Sequence, residues 1–218
     1  MVLHLDIPTS AVTALSMLVL GLSLFRISIK NKWLHLLFAS LLLSCLYFTI
    51  AILKIPSFGP MLHVATQAVF IHYIFRIRKF HSLMIAFLGS LGYTLYLAVI
   101  LFLAPLLTDA SLSDYFYNND LASRALKIMA ASLSYLTGYV LVKRRLGFTV
   151  RMEMRDSTSW RPHNQALFIV SVFSLVLFFA TYYAVTLKLS SIFYFAAGFC
   201  LLLVIIFFLL YRKEMEEN

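Results

Sequence analysis

The chain has 218 residues, of which 62% are hydrophobic and only 12% charged, with a mean hydropathy of +0.91. Soluble domains carry about a quarter charged and about half apolar residues, so this composition excludes an ordinary soluble domain. The net charge of +9 would suit a nucleic-acid partner, but the basic residues fall in short clusters between apolar runs, the distribution of loops that orient a membrane protein.

A spanning helix needs about 20 apolar residues, and the pattern predicts seven of them in an all-α bundle, at about 9–25, 33–53, 58–75, 82–106, 125–142, 165–187 and 190–211. The first is read as a mature helix and not a cleavable signal: Met1 to Thr9 holds no Lys or Arg, and no small-residue cleavage site precedes Arg26. The third is the shortest and most polar, with His63, Gln67 and His72, and Pro56, Gly59 and Pro60 mark the turn before it. After the fourth comes a loop at about 107–124, whose Tyr115, Phe116 and Tyr117 suit a membrane interface. After the fifth comes a basic loop at about 143–164, with partial apolar alternation at Phe148, Val150, Met152 and Met154. As one helix, 165–211 would be about 70 Å long at 1.5 Å per residue, more than twice the hydrocarbon thickness, so the chain must turn. Lys188, Ser190 and Ser191 supply the polar break.

Charge sets the expected orientation. With the N-terminus outside, the inner segments hold Arg26, Lys30, Lys32, Arg76, Arg78, Lys79, Lys143, Arg144, Arg145, Arg151, Arg155, Arg161, Arg212 and Lys213, fourteen in all, against four outside (Lys54, Arg124, Lys127 and Lys188). Adding or removing one helix destroys this alternation. The C-terminus and the tail 212–218 are therefore expected in the cytoplasm. A bacterial-type plasma membrane is the expected location.

Chemistry-bearing sets are scarce. No Asp, Glu, Lys or Arg lies near the middle of a predicted helix, which argues against proton-coupled pumps and carboxylate-bearing intramembrane enzymes. No catalytic residue, metal or cofactor is expected. Cys45 and Cys200 lie in apolar runs outside any CxxC or zinc spacing, and read as small buried hydrophobes. His63 and His72 are nine residues apart, on opposite helix faces and about 13.5 Å apart along the axis, so they cannot share an ion. A bis-His haem at His35 and His72 is geometrically allowed, but a polar contact between helices is the simpler reading. Gly89-Ser90-Leu91-Gly92 departs from the intramembrane serine-protease order. Gly89 and Gly92 read instead as close helix-packing positions, as do Ala130, Ala131 and Gly138, and Ala196, Ala197 and Gly198.

The informative feature is a polar and aromatic set in the outer halves of helices three, six and seven: His63, Thr66 and Gln67; Thr181, Tyr182 and Tyr183; Ser190, Ser191 and Tyr194. Uncharged polar groups in apolar surroundings need partners. Inter-helix hydrogen bonds and an aromatic belt account for such a set. The sharper reading is an outward-facing pocket for a small or peptidic ligand, with His63, Thr66, Gln67, Tyr182, Tyr183 and Tyr194 as candidate binding residues.

The last predicted helix reads FCLLLVIIFFLLYRKEMEEN and passes without a breaker into a helix-compatible tail. This layout, the opening HLDIPTSAVTALSMLVLGLSLFRISIKNKWLHLLFASLLLS and the GYTLY segment of the fourth helix resemble the membrane sensor portion of the peptide-pheromone receptor histidine kinases of Gram-positive bacteria, the accessory-gene-regulator receptor type. The resemblance implies a sensory module that binds its ligand from outside and signals through its last helix to a cytoplasmic partner or kinase, in a homodimer. The chain contains no phospho-accepting histidine segment and no ATP-binding domain, so no kinase activity resides in these residues. The competing expectations are a small-molecule transporter or channel component, tested by uptake, and a non-catalytic membrane scaffold subunit, tested by co-purification of a stable partner.

Overall fold

The computed structural model describes residues 6–52, 59–107 and 120–148, together with 204, 205 and 208. Every regular element among them is helical: α1 (Asp6–Leu24), α2 (Trp33–Ile52), α3 (Gly59–Phe75), α4 (Lys79–Leu107) and α5 (Asp120–Lys143). These are the first five predicted helices. The sixth and seventh, most of both long loops and the tail lie outside the described residues, apart from Val204, Ile205 and Phe208. Four helices, α1, α2, α4 and α5, are long and apolar enough to cross a membrane, a composition compatible with a multi-pass membrane protein. α3 has 17 residues, about 26 Å at 1.5 Å per residue.

The helix ends follow local chemistry. Asp6 and Asp120 open α1 and α5, where a carboxylate suits the positive end of the helix dipole. Pro8 and Pro60 sit in first turns, where a missing N–H costs nothing. α4 begins at Lys79, three residues before its predicted start. Ser82 explains the difference: its amide donates to the Arg78 carbonyl at 2.9 Å, and its hydroxyl donates to the Lys79 carbonyl at 2.8 Å. α5 likewise begins five residues early, because its polar first turns are helical despite reading as loop.

α1 and α5 end in the same motif. The amide of Ile27 donates to Leu22 at 3.0 Å and that of Arg26 to Ser23 at 3.1 Å; Leu146 donates to Leu141 at 2.9 Å and Arg145 to Val142 at 3.2 Å. This is the pattern of a left-handed C-terminal cap. Arginine, not glycine, occupies the left-handed position, with φ of 51° at Arg26 and 52° at Arg145, and Arg76 after α3 matches them at 55°.

α1, α2, α3 and α4 pack in a closed ring, each against the next, and α5 lies against α1 and α4. The main core fills this ring with Leu18, Leu22, Leu36, Leu43, Ile71, Ile85, Phe87, Leu88 and Leu91, all essentially inaccessible. A second cluster, Tyr93, Ile100, Leu126, Ala130 and Ala131, joins α4 to α5. The closest crossing is α1 on α4. A Cβ on Gly21 would lie 2.5 Å from the Ile85 carbonyl oxygen, and one on Gly89 would collide with the carbonyl oxygen of Met17. Gly89 and Gly92 thus are packing positions, Gly92 against Leu20, and Gly138 meets Ser23. Cys45 differs from its expected burial. It is exposed, because among the described helices α2 packs chiefly against α1 and α3 and turns its far side outward with Phe38, Leu41 and Leu42.

Hydrogen bonds fix which ends lie together. Lys32 Nζ donates to the Ile74 carbonyl, tying the α1–α2 connection to the end of α3. The Phe148 amide donates to the Leu24 carbonyl at 2.7 Å, tying the end of α5 to that of α1. One end of the bundle therefore carries Arg26, Lys30, Lys32, Arg76, Arg78, Lys79, Lys143, Arg144 and Arg145. Among the described residues, the opposite end carries Arg124 and Lys127 and the helix starts at Asp6 and Asp120.

Candidate functional site

Gln67 is the ninth of the 17 residues of α3 and is wholly buried inside the ring. An amide there needs partners, and three helices provide them. Ser90 Oγ of α4 donates to Gln67 Oε1 at 3.2 Å. Gln67 Nε2 donates to His63 Nε2, one turn back on α3, at 3.0 Å, and points at Met17 Sδ of α1 at 3.6 Å. In this orientation the amide nitrogen faces the thioether sulfur, which can accept weakly but has no proton to give. His63 Nε2 then accepts, which places the imidazole proton on Nδ1.

Of the six candidate binding residues, the structure brings His63 and Gln67 into one network. The i to i+4 spacing puts them on the same face. Thr66 is half-buried and lies about 100° round the helix from Gln67. Tyr182, Tyr183 and Tyr194 lie outside the described residues, as do Thr181, Ser190 and Ser191. Ser90 joins the network from α4. Because α4 starts at Lys79, Ser90 lies about 16 Å along the helix, level with the middle of α3. Met17 left no mark of its own in the sequence, and Ser90 stood out there only within the Gly89–Gly92 stretch, with nothing to pair it with Gln67. A lone glutamine in an apolar run signals that partners exist, not which they are.

The network is not an acyl-transfer set. Ser90 donates to an amide oxygen, which is not a base, and His63 Nε2 is engaged by the amide. Its weakest member is the sulfur contact, since a thioether is a poor acceptor. An incoming carbonyl or hydroxyl would be a better partner for that N–H. The other histidines lie elsewhere. His72 Nδ1 meets the Ile77 carbonyl beyond the end of its own helix, and His35 is exposed in the first turn of α2. Among the described residues there is no group of three or more His, Cys, Asp or Glu able to hold a metal ion. Comparison with protein-family models, curated proteins and solved structures finds no match to this chain.

Proposed function

We propose that the chain is a membrane sensory module, with seven spanning helices, the N-terminus outside and the C-terminus in the cytoplasm of a bacterial-type cell. A small or peptidic ligand would enter from the outer side and reach the Gln67 network, with Thr66, Tyr182, Tyr183 and Tyr194 completing the site. The observation that carries this reading is the buried amide of Gln67, which links α1, α3 and α4 and holds one of its two protons on a sulfur atom. A ligand that replaces Met17 as acceptor binds one packing of these helices better than another, and only such differential affinity shifts a bundle between states. The fourteen-to-four division of basic residues supports the orientation, and the resemblance to pheromone-receptor sensor portions supports the output through the last helix and residues 212–218.

The topology is tested by labelling single cysteines introduced at 112 and at 146 in a Cys45→Ala/Cys200→Ala background, the first reacting only from outside and the second only from inside. The site is tested by a thermal-shift screen of the purified protein against secreted-peptide fractions. A compound that raises the melting temperature of the wild type should lose that effect in Gln67→Leu. Undiminished shifts in Gln67→Leu, Tyr182→Phe and Tyr194→Phe alike refute the site. Accumulation of the same compound inside proteoliposomes would favour a transporter.

A further inference from the structure

Between α2 and α3, at the basic end of the bundle, lies an apolar groove of about 270 Å³ lined by Leu34, His35, Phe38, Ala39, Phe70 and Ile74. We infer that this groove, with the basic residues at its mouth, binds an anionic phospholipid: one acyl chain lies against Phe38 and Phe70, and the phosphate meets Lys30, Lys32 and Arg76. This inference does not depend on the sensory reading.

Shape, charge and surroundings favour that occupant. A helix with its side chains is about 10–12 Å across, too wide for a slot of this volume, whereas a single hydrocarbon chain fits. The Lys32 ammonium is fixed at the end of the groove. It donates to the carbonyl of Ile74, itself a lining residue, and lies 4.7 Å from the centre of the Phe75 ring. Lys30 and Arg76 are exposed beside it, and the exposed imidazole of His35 stands on the rim. Basic side chains above an apolar slot match a phosphodiester above an acyl chain, and basic residues near an anionic leaflet attract its lipids.

Trp33 begins the helix whose first turn lines the groove, and it is exposed. In the full chain carrying Trp160→Phe it is the single tryptophan, and brominated lipids report on its neighbours by quenching. In mixed bilayers, brominated phosphatidylglycerol is expected to be favoured over brominated phosphatidylcholine by roughly fivefold, the scale of one basic residue at an anionic surface. The preference should fall to near unity in Lys30→Gln/Arg76→Gln. It should also fall in Leu34→Phe and in Ala39→Leu, which narrow the groove with every charge in place. Leu34 is 77% exposed, so its variant leaves the core intact. Glycerol phosphate, which has the headgroup chemistry without a chain, should not relieve the quenching. Equal quenching by the two lipids, relief by glycerol phosphate, or a preference that survives both groove variants would overturn the site, the last of these assigning the effect to general leaflet charge.

Discussion

Replacing Gly89 with alanine tests the geometry at the centre of the bundle. The new methyl group would collide with the carbonyl oxygen of Met17 and lie 3.0 Å from the backbone nitrogen of Gly21. Both obstacles are backbone and cannot rotate away, so α1 and α4 must separate. For the reciprocal change, Gly21→Ala, the Cβ lies 2.5 Å from the Ile85 oxygen. Restoring van der Waals distance there opens the crossing by on the order of 1 Å, a gap that forfeits a quarter to a half of each affected dispersion contact. Leu18 and Leu22 of α1 and Ile85 and Leu88 of α4, all essentially inaccessible, belong to the core that this separation loosens. Overpacking of a tight core costs about 1–3 kcal/mol, and an immovable obstacle places Gly89→Ala near the top of that range. Gly59→Ala is the control, because among the described residues its Cβ meets only Ile50, at an ordinary 3.8 Å, and it should be neutral within about 0.5 kcal/mol. Unfolding free energies from denaturant titration in mixed micelles, followed by circular dichroism, measure both. The double variant Gly21→Ala/Gly89→Ala should cost less than the sum, since one separation relieves both clashes. A Gly89→Ala protein as stable as Gly59→Ala refutes the crossing.

Three further outcomes are expected by the same assay. Gln67→Leu removes the amide from His63 and Ser90 and should cost about 1 kcal/mol, within the modest range of hydrogen bonds between membrane helices. Lys32→Met loses the cap on the Ile74 carbonyl and the contact with Phe75, and should cost about 1–2 kcal/mol, with Lys32→Arg retaining part of it. Arg26→Gly should stabilise by about 1 kcal/mol, because a left-handed φ of 51° strains any side chain but costs glycine nothing. An Arg26→Gly protein that is less stable would show that the arginine makes a compensating contact.

The sequence made the helices legible because apolar length alone decides where a chain can cross a bilayer, and the five described helices sit where the runs place them. Their ends were less legible. Lys79, Phe80 and His81, and Asp120 to Arg124, are polar enough to read as loop, yet they are helical because α4 and α5 extend past the apolar span. The small residues were readable as packing positions, but the partner was not: Gly89 carries its own signal, whereas Gly21 gains its meaning only from α4 lying across it. The candidate site divides in the same way. His63 and Gln67 share a face through local periodicity, so their association was visible in the spacing. Ser90 and Met17 join them only through tertiary packing, which no local pattern encodes.

The amide network and the glycine crossing are one place mechanically. Met17 gives its sulfur to Gln67 and its carbonyl to the Gly89 contact, and Ser90, the partner of Oε1, is the next residue after Gly89. A rearrangement at Gln67 therefore bears on α1, and α1 is tied at its far end to the segment that follows α5. The Phe148 amide bonds the Leu24 carbonyl, the Phe25 and Phe148 rings lie 6.1 Å apart, and Gly147 passes beneath at a φ of 129°. Alanine at 147 would be strained in that conformation and would place a Cβ 2.7 Å from the Leu24 oxygen. Gly147→Ala should therefore release the strap while costing the bundle only about 1 kcal/mol, the net value of one hydrogen bond. Amide exchange at Phe148 should quicken at least tenfold, while the amides of Leu18 and Leu88 keep their protection. Unchanged protection at Phe148 would mean that the strap does not depend on the glycine. Loss of protection throughout would mean that the bundle and the strap are a single cooperative unit, with α1 unable to move at one end without the whole.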